Sequence, residues 1–223
     1  MQLNHLIDHT LLKPTALVQD IEQLCGEAIA HQFAAVCVPP PFVKIACEQV
    51  AGSGVKVATV IGFPFGYSAV EAKIAESVLA MVDGADELDI VASILAIKNQ
   101  DWTYIANEIS HLLPVIRSKQ KVVKVIIESG VLTEEEIITC CDIYGAAGID
   151  FLKTSTGYAE KGATVEAVQL FRKHLPASVK IKASGGIRTY EQACEMVAAG
   201  ADRLGCSASV AIVQEKTTDR TAY

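Results

Sequence analysis

A closed (β/α)8 barrel, the TIM-barrel architecture in a single α/β domain spanning 1–223, is the fold this sequence predicts, on three observations. Eight short apolar or β-branched runs alternate with about eight helical stretches, and strict alternation means parallel strands joined by right-handed crossovers. One junction recurs three times, as Gly84-Ala85-Asp86-Glu87-Leu88, Gly148-Ile149-Asp150-Phe151-Leu152 and Gly200-Ala201-Asp202-Arg203-Leu204. The 223 residues, 51% of them hydrophobic, suffice for one large core. An open doubly wound sheet is the competing architecture. It is disfavoured because neither Gly-x-Gly-x-x-Gly nor Gly-x-x-x-x-Gly-Lys-Ser/Thr occurs.

The elements follow in order. Residues 6–10 form the first strand, and Lys13-Pro14-Thr15 breaks the chain before a helix over 17–31, where Leu17, Ile21, Leu24 and Ala28 recur at helical spacing. A buried strand over 33–38 stops at Pro39-Pro40-Pro41, and a helix over 42–51 closes at Gly52-Ser53-Gly54. Residues 55–61 are the third strand. Ser68 and Glu71 read as a capping box for a helix running to 82. A strand over 86–91 precedes a longer helical region that contains Trp102 and Ile109 and runs to about 117. Residues 121–127 are strongly β-branched. Thr133, with Glu136 three residues on, caps the next helix, which ends between Gly145 and Gly148. Strands over 149–154, 179–183 and 202–206 complete the set, with helices over 164–175, 189–199 and 208–214.

The repeated junction places side chains. The residue after each leucine is Asp89, Lys153 or Gly205, on the fourth, sixth and eighth strands. Inward side chains of alternate strands form one layer in such barrels, so these positions share a height, with Cys37 on the second strand. A glycine that stops a helix explains the recurring glycines. It does not explain an aspartate and a lysine at one offset.

Lys153 ends an apolar run and is followed by a loop rich in hydroxyls and glycine; Lys182 does the same one strand later. A lone lysine at a strand end is ordinarily a solvated terminus. Two lysines on neighbouring parallel strands, about 4.8 Å apart, repel each other, and partial desolvation adds to the pressure to lose a proton. A neutral amine near pH 7 is the nucleophile that attacks carbonyl compounds to form an imine. Lys124 shares its strand face with Val122, Ile126 and Glu128, so a third lysine either joins this cluster or faces the surface. Gly185 and Gly186 precede one helix, and Gly205, Cys206 and Ser207 precede the short one after it. Such loops offer backbone N–H groups to an anion, with Arg188 and Ser207 in reach of direct contact.

The formal charge of −7 excludes a general affinity for nucleic acid or anionic membranes. No apolar run approaches a membrane span and no secretion signal is visible, so a cytoplasmic location is expected. Seven scattered cysteines without Cys-x-x-Cys fit reduced thiols. His5 and His9 are four apart and could share a helix face, but the intervening Leu6-Ile7-Asp8 lacks the glutamate of a zinc helix. No metal or other cofactor is expected, and a homodimer or higher homo-oligomer is.

Along essentially its whole length the chain resembles the deoxyribose-phosphate aldolases. The resemblance is carried by Ile7-Asp8-His9-Thr10-Leu11-Leu12-Lys13-Pro14, Val36-Cys37-Val38, Gly62-Phe63-Pro64, Glu87-Leu88-Asp89, Lys124-Val125-Ile126-Ile127-Glu128, Phe151-Leu152-Lys153-Thr154-Ser155-Thr156-Gly157 and Lys182-Ala183-Ser184-Gly185-Gly186-Ile187-Arg188. It implies a class I aldolase in which Lys153 forms a Schiff base, Lys182 tunes it and Asp89 joins a proton relay. Lys124 and Asp8 would complete the polar cluster. Gly157, Gly185, Gly186, Arg188, Gly205 and Ser207 would surround the phosphate of a sugar phosphate, with Cys37 and Thr154 in the substrate pocket. Residues 216–223 would form a mobile tail whose Tyr223 protonates the enamine. Pro39 stands where an asparagine is common, and Tyr158 and Ala208 occupy variable positions beside the phosphate loops.

Overall fold

The computed structural model describes residues 1–215; Tyr223 and the expected tail over 216–223 lie outside the described residues. Eight strands, β1 (Ile7–Thr10), β2 (Ala35–Val38), β3 (Lys56–Ile61), β4 (Glu87–Val91), β5 (Val122–Ile126), β6 (Phe151–Lys153), β7 (Lys180–Ser184) and β8 (Arg203–Cys206), form a closed barrel in sequence order. Each pairs in parallel with the next, and β8 pairs with β1. Around them lie α1 (Val18–His31), α2 (Val43–Val50), α3 (Val70–Val82), α4 (Ile94–Lys98), α5 (Trp102–Arg117), α6 (Glu134–Ala147), α7 (Val165–His174), α8 (Tyr190–Ala199) and α9 (Ser209–Val213).

The repeated junction turns out to be a register device. Gly84, Gly148 and Gly200 take φ of 110°, 70° and 117°, the left-handed turn that glycine enters without a Cβ penalty. The aspartate that follows reaches across to the start of the preceding strand: Asp86 accepts from the Val57 N–H at 3.1 Å, Asp150 from Val123 at 2.8 Å, and Asp202 from Ile181 at 2.9 Å. Each bolt fixes the height of one strand against its neighbour. That is why the residues three positions after these aspartates reach one level.

Two sequence expectations are corrected. Ser68 does not cap α3, which begins at Val70 with Ala69 as N-cap and no side-chain hydrogen bond there; Glu71 is then the second helical residue and cannot close a box with Ser68. The long helical region after β4 is two helices, interrupted where Gln100 takes φ of 56°, and Asp101 caps the second by accepting from the Tyr104 N–H at 3.0 Å. The Thr133–Glu136 capping box forms as expected.

Outward side chains of the strands (Val36, Leu88, Val125, Leu152, Ile181 and Leu204 among them) pack with the helices into the main hydrophobic core. The barrel interior is different. On one side it holds a small apolar group of Cys37, Ala58 and Val60, and on the other it is charged.

Candidate active site

The register sets Asp89 of β4 beside Lys124 of β5, and Lys153 of β6 beside Lys182 of β7. All four side chains point inward. Lys124, Lys182 and Asp89 have no exposed surface, and Lys153 is 2% exposed. Charges buried so deeply persist only when paired. Lys153 and Lys182 both donate to the same Asp89 oxygen, Oδ2, at 2.8 Å, while Lys124 donates to Oδ1 at 2.7 Å. Lys182 also donates to Oδ2 of Asp8, the inward residue of β1. Below this level Lys124 meets Glu87 at 2.5 Å, and Arg203 reaches Asp8 at 2.6 Å and Glu87 at 3.4 Å. Lys124, which the sequence left between core and surface, is in the core.

The four cations do not titrate alike. Burial raises the cost of charge on all of them. For Lys124 and Lys182 the flanking carboxylates overcome that cost and hold the amines above the ordinary lysine value. For Lys153 they do not: burial, reinforced by the neighbouring Lys182 ammonium, outweighs Asp89 and moves the amine down. Asp89 is held well below the usual carboxylate range, burial being overridden by Lys124, Lys153 and Lys182. Asp8 is lowered in the same way, against burial, by Lys182, Lys124 and Arg203.

Above the charged layer, the loops after β6 and β7 meet glycine to glycine. Gly157, Gly185 and Gly186 have φ of 90°, 87° and 81°. A Cβ on Gly162 would lie 2.2 Å from the Gly185 carbonyl oxygen, and one on Gly185 would lie 3.1 Å from the Gly162 Cα. Arg188 and the exposed Ser207 follow β7 and β8, and Gly205 sits against Lys182 and Ser184 with no room for a side chain. The predicted anion loops are thus side by side at the C-terminal mouth.

The remaining residues singled out from sequence are placed as follows. Cys37 lies in the interior with Lys182, Asp89 and Lys153 as electrostatic neighbours, its thiol pushed up by burial. The Thr154 hydroxyl is committed to β7, donating to the Ser184 carbonyl at 3.2 Å and accepting from its N–H at 3.0 Å. His9 is on a strand, not a helix; its ring nitrogens meet Ser209 Oγ at 2.9 Å and Glu27 at 2.8 Å. Tyr158 leans edge-on against Phe63 and donates to the Leu12 carbonyl at 2.9 Å, tying three loops together at the mouth. With Pro64, Phe65, Ile94, Val131 and Glu128 it lines a cavity of about 210 Å³.

Three residues were missed by sequence reasoning. Ser155, two positions after Lys153, has a buried hydroxyl without a partner among the described residues, beside the glycines of the β7 loop. Buried hydroxyls are normally bonded, and an orphan beside the β7 loop is a candidate contact for a substrate oxygen. Glu87 and Arg203 were visible in principle: each lies two residues before the layer position in the repeated junction, hence on the same strand face one layer down.

Comparison with known proteins agrees with the barrel fold. A family model described as DeoC/LacD family aldolase matches residues 4–214. The chain is 48% identical over 215 residues to the deoxyribose-phosphate aldolase of Caldicellulosiruptor saccharolyticus, covering 96% of this chain and 98% of that protein. It is 50% identical over 216 residues to that of Thermococcus gammatolerans, covering 96% of each. Among solved structures, the deoxyribose phosphate aldolase of Aeropyrum pernix, described as tetrameric, superimposes with a TM-score of 0.88 at 33% identity, over 95% of this chain and 89% of that one.

Proposed function

Because the chain belongs to the DeoC/LacD family of aldolases, we propose that it cleaves 2-deoxy-D-ribose 5-phosphate reversibly to D-glyceraldehyde 3-phosphate and acetaldehyde through an imine on Lys153. One observation carries the mechanism: Lys153 and Lys182 share a single oxygen of Asp89 at 2.8 Å. Two ammonium groups so close cannot both be comfortable in a buried site, and Lys153 is the one whose proton is held weakly. An imine-forming lysine needs a value near about 7 to 8.

Neutral Lys153 attacks the C1 aldehyde, and loss of water from the carbinolamine gives a protonated imine. The imine withdraws electrons as the C3 hydroxyl gives up its proton, through water, to the carboxylate of Asp89. The C2–C3 bond breaks, glyceraldehyde 3-phosphate departs, and the remaining enamine is protonated at carbon and hydrolysed to acetaldehyde. Tyr223 is the proposed donor of that proton. The phosphate would sit among Gly157, Gly185, Gly186, Arg188, Gly205 and Ser207, where left-handed glycines turn backbone N–H groups toward an anion. None of these steps requires a cofactor.

The role is catabolism of deoxyribose phosphates in the cytoplasm, in keeping with seven free cysteines and no helix among the described residues long and apolar enough to cross a membrane. Assembly as a homo-oligomer is supported by the Aeropyrum pernix relative, whose structure is described as tetrameric. The test is borohydride reduction with acetaldehyde present, followed by peptide mass mapping. A single ethyl adduct on Lys153 is expected. A folded, active enzyme that yields no adduct, or an adduct elsewhere, overturns the mechanism.

A further inference from the structure

The interior of the barrel carries a countable set of charges. Four cations, Lys124, Lys153, Lys182 and Arg203, contact three carboxylates, Asp8, Glu87 and Asp89, in one connected cluster. If every lysine were protonated the cluster would hold one positive charge too many, in a place where unbalanced charge is expensive. It balances when one lysine is neutral. Lys124 and Lys182 each touch two or three of the carboxylates, whereas Lys153 touches Asp89 alone.

We propose that Arg203 and Glu87, at the closed end of the barrel, are positioning residues for the reaction at Lys153: they fix the charge count of the interior so that it balances when Lys153 is the neutral amine. This rests on Lys153 being the imine-forming lysine. Arg203 holds Asp8 and Glu87 in place, and Asp8 and Glu87 in turn hold Lys182 and Lys124 as fixed ammonium groups. The guanidinium packs at 5.4 Å from the centre of the Phe151 ring, with Lys180 at 5.6 Å from the same ring. Phe151 occupies in its junction the position that Glu87 and Arg203 occupy in theirs, so a neutral face completes the lower layer there. The groups that face Lys153 are Cys37 from β2, Asp89 from β4, Lys182 from β7 and Glu128 from the loop after β5. Glu128 accepts from the Thr156 N–H and hydroxyl at the mouth and makes no ion pair with the cluster.

The count predicts shifts of opposite sign. Arg203→Gln removes a cation, leaves the carboxylates in excess and lets Lys153 regain its proton. The acid limb of the kcat/KM profile then moves up by on the order of one pH unit, about a tenfold loss of rate at a pH below the limb. Glu87→Gln removes an anion, and the limb moves down. The double variant restores the balance, and its limb returns to the wild-type position. A role in packing alone would lower activity in both single variants without moving the limbs apart.

The experiment measures kcat/KM and borohydride trapping by acetaldehyde against pH for the wild type, both single variants and the double variant. Absence of a Lys153 adduct in the wild type overturns the mechanism itself. With that adduct present, limbs that stay put, or that move the same way in both single variants, overturn the charge-count inference. Should Arg203→Gln fail to fold, Glu87→Gln alone decides, since it keeps every cation and must lower the limb.

Discussion

Lys153 gains little for the stability of the fold: it is buried, repelled by a neighbour and bonded to one carboxylate oxygen. Replacing it by leucine should therefore leave far-ultraviolet circular dichroism and melting intact while abolishing aldehyde release. Lys182→Leu should cost about a hundredfold or more in kcat, because Lys153 then loses the ammonium that keeps it neutral. Much of this was legible in the sequence. Asp89 and Lys153 stood at one offset of a repeated junction, and strand parity brought Lys124 within consideration. Glu87 and Arg203 shared that junction but were assigned no role, because the pairing that gives them meaning spans strands far apart in the chain. Ser155 was illegible for a simpler reason: whether a hydroxyl has a partner is a property of three dimensions.

At the scale of elements, two contacts make predictions. Lys73 of α3 is fully buried and meets Glu108 of α5 at 2.5 Å and the Val91 carbonyl at 2.7 Å, tying two helices to the end of β4. Lys73→Met should destabilise by about 3–5 kcal/mol in urea unfolding, since Glu108 is left buried and unpaired, and adding Glu108→Leu should recover much of the loss. The β6 and β7 loops meet through Gly162 and Gly185, where even one methyl has no space. Gly162→Ala should spread these loops, raising KM for the phosphorylated substrate by tenfold or more while trapping of unphosphorylated acetaldehyde on Lys153 proceeds normally. Helix caps were partly readable: Thr133 and Glu136 met the spacing and the geometry, whereas Ser68 met the spacing one residue too early for the helix that forms.

For the whole molecule the buried charges set a pH window. Asp8 and Asp89 have folded values below the ordinary 3.8, so their stabilisation is present above that value and is lost as pH falls toward the depressed ones. Lys124 and Lys182 have folded values above 10.5, so theirs is present below it and is lost as pH climbs beyond. Lys153 works the other way, penalising the fold where it must be protonated. The melting temperature should thus be broad and flat at neutral pH and fall on both flanks, most steeply below about pH 4, in a calorimetric series. The barrel was predictable as a whole because alternation, junction glycines and length all pointed to it. Asp8 bonds to Lys182 and Arg203, 174 and 195 residues away. During synthesis, then, the first strand emerges carrying a carboxylate whose partners are made almost last. A chain that stops before β8 lacks Arg203 and keeps three lysines against three carboxylates, so its interior balances only with Lys153 protonated, and the last strand is what frees that amine for chemistry.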